Sequence, residues 1–380
     1  MLLKAAKARK IKDSRGEATI EVKINGCKAS SPSGKSKGKY ETPSYHKSLE
    51  WNINFINKKK FNIEINKFDD LAKLEKFIKE KAHLRNAKKF GANALFALES
   101  AVLKALAKSQ KKELYEIVSD KKRITNIPVP VGNAIGGGLH SHNKDHPTFQ
   151  EFLLVPNGGS AKENVKIMNE VYNKLGKLLK PNSKNEEGAW QTSLNDEEIL
   201  QILKKFKEIK MGIDCASSSF YCDGNYTYKN KILDGKTQIH YINSIIKDFN
   251  LFYVEDPLDE EDFPGFSKIK KTGGNLVVGD DLTVTHIDRL KKAIKLKSIN
   301  AIIVKPNQNG SLLELRKIFE ICRKNKVRTI MSHRSGETMD NALADYAVGF
   351  GADFIKCGIS TKWREVKLDR LVKIEKRVLW

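Results

Sequence analysis

The chain has 380 residues but only 10 prolines, 8% aromatic residues and five cysteines. No apolar run approaches the ~18–20 residues that span a bilayer, which argues against a helical membrane protein. The cysteines (Cys27, Cys215, Cys222, Cys322 and Cys357) are odd in number and form no CxxC pair. They read as free thiols of a reducing cytosol rather than a disulfide framework. The opening "MLLKAAKARKIKD" is too poor in consecutive apolar residues for a secretory h-region, so a cytoplasmic chain is expected.

Acidic residues are also in deficit. Against 69 Lys and Arg stand 46 Asp and Glu, a formal net charge of +23. Such an excess can mark a polyanion-binding surface. Here no Lys/Arg run exceeds three residues and no RNA-binding signature accompanies the charge. Solvated lysine-rich faces are therefore expected, with nucleic acid not the main partner. The imbalance reverses locally: residues 251–290 hold 9 Asp/Glu against 4 Lys/Arg. An acidic island in a basic protein is what a bound cation would explain.

What is present is the composition of a globular protein, 40% hydrophobic and 30% charged, long enough for two domains. "EATIEVKING" alternates as a strand does and ends in the hairpin signal Asn25-Gly26. "DDLAKLEKFIKEKAHL" and "GANALFALESAVLKALAKS" carry helical spacing. Strands followed by helices predict a small α+β domain over residues 1–126.

Over residues 127–380 short apolar runs alternate with helical patterns, as in a parallel sheet closed into a barrel. The runs "KMGID", "LFYVED", "LVVGDD", "AIIVK", "VRTIMSH" and "ADFIK" lead to Asp214, Glu255, Asp280, Lys305, His333 and Lys356. A barrel's strand C-termini converge on one face, where active sites are built. Six such residues with complementary chemistry predict one ring rather than six solvated loop residues.

Asp214, Glu255 and Asp280 supply the all-oxygen donors that suit Mg²⁺. Lys305 and Lys356 lie further round the same face, and a lysine with a depressed pKa can act as a base. Metal plus lysine suggests proton abstraction next to a carboxylate. In "MSHRSGET", Arg334 with Ser335 suits a phosphate. "GNAIGGGLHSHNKDHPTFQE" permits a zinc set of His140, His142 and His146, although no HExxH or CxxC spacing supports it. It reads better as a flexible loop that brings His140, with Gln150 and Glu151, to the barrel mouth.

These residues resemble the enolase family over nearly the whole chain. "KDSRGEATIEV" is similar to the family's DSRGNPTVEV, "PSGKSKG" to PSGASTG, and "IPVPVGNAIGGGLH…QEFLLVP" to LPVPxxNxxNGGxH…QEFMI. "VEDPLDEEDF", "VVGDDLTVTH", "VKPNQNGSL" and "MSHRSGETMDNALADYAV" match further blocks in order. The resemblance implies an eight-stranded (βα)8-like barrel behind an α+β cap, a homodimer or larger homo-oligomer, and two Mg²⁺ ions. A lysine base with Mg²⁺ is the enolase superfamily's general arrangement rather than an independent deduction.

The resemblance further implies Asp214, Glu255 and Asp280 on a structural Mg²⁺ and Ser36 on a catalytic one. Lys305 would be the base at C2 of 2-phosphoglycerate, and Glu187 in "NEEGAW" the acid at the C3 hydroxyl, with Glu151 beside it. His140, Arg334 and Ser335 would hold the phosphate, His333 line the pocket, and Lys356 meet the substrate carboxylate. The chain departs from the family around Glu187 and after Lys356, has Ser219 where the family has a glutamate, and is shorter overall. These departures leave open a paralogue acting on a related phosphorylated or acidic hydroxyacid, or a non-catalytic polyanion-binding protein.

Overall fold

A computed structural model describes the chain except residues 36–38, 122–123, 182, 272–273 and 380. The N-terminal part opens with an antiparallel sheet of β1 (Lys7–Lys12), β2 (Ala18–Ile24) and β3 (Cys27–Ser30). The predicted hairpin is present: Ile24 pairs with Cys27, and Asn25 and Gly26 both take positive φ in the two-residue turn. Helices α1 (Leu49–Lys58), α2 (Leu71–Lys81) and α3 (Ala92–Ser109) follow. α3 is buried nearly all round, as expected of a helix clasped between two layers rather than lying on a surface.

The C-terminal part is a closed barrel of eight strands. They are β4 (Val129–Gly136), β5 (Glu151–Pro156), β6 (Ile209–Asp214), β7 (Tyr253–Glu255), β8 (Leu276–Gly279), β9 (Ala301–Val304), β10 (Arg328–Ser332) and β11 (Phe354–Lys356). β11 pairs back to β4, with Lys356 opposite Val131, and closes the ring. Its interior is filled by Val131, Leu153, Tyr253, Val278, Ile303 and Ile330, all buried, so the barrel is a packed core and not a pore.

One strand departs from the expected parallel pattern. β5 runs antiparallel to both β4 and β6, with Glu151 opposite Gly136 and Asp214. An antiparallel return needs no crossover helix. The loop between β4 and β5 therefore stays at the mouth, and β5 begins there, which puts Glu151 beside Asp214. The predicted strand ends hold to within one residue: Asp280, Lys305 and His333 each follow the last residue of their strand.

The cap is tied to the barrel mouth. Ser33 and Gly336 form an antiparallel bridge, their N–H groups donating to each other's carbonyls at 2.7 and 2.9 Å. Asn307 donates through Nδ2 to the Pro32 carbonyl and to Asn93 of α3, each at 2.9 Å. Gly310 sits against α3 with φ +89°, and an added Cβ would lie 2.7 Å from the Ala92 Cα. Gly310→Ala should therefore destabilise the protein by about 2 kcal/mol, through backbone strain and overpacking together. Denaturant unfolding measures this, and a variant as stable as wild type would show that the cap yields at this contact.

Candidate active site

A cavity of about 250 Å³ lies at the barrel mouth beneath the cap. Its lining includes Lys305, Glu187, Glu151, His140, Asp214, Asp280, His333, Arg334, Ser335 and Lys356. Glu255 lies just below, fully buried. Of the residues anticipated from sequence, Ser36 alone falls outside the described residues.

Lys356 is the electrostatic centre. Its Nζ donates to Asp214 Oδ2 at 3.1 Å and to both Glu255 oxygens at 2.9 Å, and it lies 2.8 Å from Glu151 Oε2. Burial alone would lower the Lys356 pKa, but Asp214, Glu151 and Glu255 outweigh it and hold the ammonium well above the ordinary range. The acids respond unequally. Burial, then Asp214, pushes Glu255 well above the usual carboxylate range, whereas for Glu151 the attraction of Lys356 and His140 overcomes burial and holds it below. Three carboxylates thus share one ammonium.

Lys305 is paired with Asp280 through a short Nζ to Oδ2 contact. Burial and Arg334 act downward, but Asp280, reinforced by Asp281, raises the Lys305 pKa well above its ordinary value. The lysine is an ammonium while Asp280 holds it.

On another side of the cavity, the turn Asn185–Gly188 presents Glu187. Asn185 Oδ1 accepts from the N–H groups of Glu187 at 3.0 Å and Ala189 at 2.9 Å, which fixes the turn. Glu187 Oε2 lies 3.8 Å from His333 Nε2. Burial, then Arg364, pushes the His333 pKa well below the ordinary value, so its imidazole is neutral. His140 Nδ1 lies 3.6 Å from Glu151 Oε1. Burial would lower the His140 pKa, but Glu151 and Glu187 raise it.

Arg334 pairs with Glu41 of the cap, Nη2 lying 3.1 and 3.0 Å from its two oxygens. Ser335 Oγ accepts from the Lys35 N–H at 2.8 Å. Lys35 Nζ reaches Glu186 at 3.3 Å, a partly exposed pair worth little in stability.

Among the described residues, potential metal-ligand atoms come within 4.8 Å of one another in two groups, His140–Glu151–Glu187 and Asp256–Asp280–Asp281. His140, His142 and His146 do not converge. His142 turns toward Glu186, and the His146 ring lies 2.8 Å from the Pro147 carbonyl. Asp256 accepts from the N–H groups of Asp280 at 3.0 Å and Asp281 at 2.6 Å, so it shapes the turn that aims Asp280. Asp280 Oδ1 is buried without a hydrogen-bond partner. The expected set of Asp214, Glu255 and Asp280 is not one of the two groups, although burial and then repulsion from the other acids, Asp280 included, raise the Asp214 and Glu255 pKa values. The buried orphan oxygen of Asp280 fits a hard divalent cation held by oxygen donors.

Sequence reasoning missed Glu41 and Arg364. Glu41 is the one acid closely following a lysine-rich loop, a weak signal in hindsight. Arg364 sits in a stretch that departs from the resembled pattern.

Profiles of two family domains match the chain: "Enolase, N-terminal domain" over residues 3–118 and "Enolase, C-terminal TIM barrel domain" over residues 124–379. The chain belongs to the enolase family. Proteins named Enolase are similar along almost their whole length. That of Thermoplasma acidophilum is 36% identical, covering 97% of both chains. That of Natronomonas pharaonis is 34% identical over 98% of this chain and 99% of its own, and that of Picrophilus torridus 35% over 99% of each. This enolase-family enzyme has no helix, among its described residues, long and apolar enough to cross a membrane.

Proposed function

We propose that the chain catalyses Mg²⁺-dependent dehydration of 2-phospho-D-glycerate to phosphoenolpyruvate, as part of glycolysis and gluconeogenesis. The observation that carries this reading is that Lys305 and Glu187 line one small cavity with buried carboxylates, Lys356 and Arg334. Asp214, Glu255 and Asp280 would hold one Mg²⁺ and Ser36 would contribute to a second. Bound there, the cations would supply positive charge to offset the negative charge that builds up on the substrate carboxylate when the C2 proton leaves.

In this reading Lys305 takes the C2 proton as a neutral amine. The amine becomes available when the Asp280 carboxylate is otherwise engaged, because burial and Arg334 both favour the uncharged form. The C3–O bond then breaks, the C2–C3 double bond forms, and Glu187 gives its proton to the departing hydroxide, releasing water. Glu151 and His140 support Glu187, while the neutral His333 lines the pocket. Arg334 and Ser335, with His140, hold the phosphate, and Lys356 meets the substrate carboxylate.

Around this chemistry we place a cytoplasmic homo-oligomer with its domain boundary at residues 126/127 and a basic surface that is mainly solvated. The test is phosphoenolpyruvate absorbance after adding 2-phosphoglycerate, with Mg²⁺ or with EDTA. Formation only with Mg²⁺ is expected, and none with Mg²⁺ would sink the reading. Glu187→Gln should lower turnover about 10²-fold yet still let the C2 proton exchange with deuterium, followed by NMR. Loss of exchange together with turnover would mean that Glu187 shapes the site instead of donating the proton.

A further inference from the structure

Arg364 lies in the first turn of the C-terminal helix (Lys362–Leu379), just past the barrel's last strand. Its side chain has 0% exposure, and a guanidinium does not deprotonate in proteins, so a full positive charge is buried there. Such a charge needs partners. Nη2 donates to the Ser335 carbonyl at 3.0 Å and Nη1 to Thr361 Oγ1 at 3.4 Å, while Nε is buried without a hydrogen-bond partner. Among the described residues its ion-pair partner is Glu187, whose Oε1 lies 3.9 Å from Nη2 and whose side chain is 5% exposed. Room for the arginine stem comes from Gly358, where a Cβ would fall 2.5 Å from Arg364 Cδ.

The two Glu187 oxygens thus face different groups, Oε1 the guanidinium behind it and Oε2 the His333 ring. Ser335, bound by the same guanidinium nitrogen, belongs to the turn proposed to hold the phosphate. Arg364 itself does not line the cavity. Buried behind Glu187, it acts through the residues it holds.

We infer that Arg364 is a positioning residue that clamps the Glu187 carboxyl against the Ser335 turn, fixing the acid relative to the bound phosphate. This rests on the reading of Glu187 as the acid at C3. Misplacing a reacting group by about 1 Å costs on the order of 10²-fold in rate, and an effect confined to the transition state appears in kcat rather than KM.

The test compares wild type with Arg364→Met and Arg364→Lys, measuring kcat, KM, C2 deuterium exchange and unfolding midpoint. Arg364→Met should lose about 10²-fold in kcat with KM changed by no more than about threefold. Its exchange, which depends on Lys305, should stay near wild type. Arg364→Lys, keeping charge but not the fork, should recover part of the loss. A folded Arg364→Met with wild-type kcat would overturn the inference. So would parallel loss of kcat and exchange that tracks a lowered midpoint, since that marks a purely structural role.

If Arg364→Met does not fold, the lysine variant decides: reduced kcat with intact exchange supports the clamp, and unchanged kcat rejects it. If wild type forms no phosphoenolpyruvate, the function reading fails on its own. The clamp is then judged from crystal structures of wild type and Arg364→Lys. A Glu187 carboxylate shifted by about 1 Å or more supports it, and an unmoved one rejects it.

Discussion

Lys305→Ala is expected to lower turnover about 10⁴-fold, the upper end of what a general base supplies. Lys305 follows the last residue of β9, lines the cavity and points its amine at Asp280. Loss of that amine should abolish C2 exchange as well as dehydration, which separates it from Glu187→Gln. Folding should survive with some loss of stability, because Asp280 loses its ammonium partner but keeps its backbone place through the N–H to Asp256 hydrogen bond. Retention of more than about a tenth of the wild-type rate would show that another group takes the proton.

Lys356→Met should have the largest effect on stability. Removing one partner of a buried ion pair typically costs about 3–5 kcal/mol, because the opposite charge is left uncompensated. Here Asp214, Glu255 and Glu151 would all be left facing one another. The expected result is an unfolding free energy lower by about that amount in EDTA, with turnover lost. Mg²⁺ should restore part of the stability, since a cation that binds only the folded form stabilises it by mass action. A variant whose unfolding midpoint stays within about 2 °C of wild type in EDTA would mean that the acids neutralise themselves by taking up protons.

The barrel was legible because buried parallel strands are written as short apolar runs, and six of the eight here stop at a charged or imidazole-bearing residue. That pattern alone places Asp214, Glu255, Asp280, Lys305, His333 and Lys356 at strand ends. The reversed direction of β5 was not legible, since "EFLLVP" reads the same either way. Nor was the pairing of lysines with acids, because it depends on which strand ends face one another across the mouth. Lys305 shows the consequence: its position was anticipated, but its charge state is set by Asp280, 25 residues away. Glu41 and Arg364 stayed hidden for a similar reason. Each acts across a large sequence gap, one from the cap and one from the final helix.

The bridge between Ser33 and Gly336 has a consequence for synthesis. During translation at ~5–20 residues per second, the cap would wait roughly 15–60 s for the turn that anchors it. For the part of that interval after α3 is made, its barrel-facing apolar surface faces solvent or the chaperones around the ribosome, because the barrel residues that cover it are not yet made. A nascent chain arrested before Gly336 should therefore be cut by protease within α3, and release of the full-length chain should end that sensitivity.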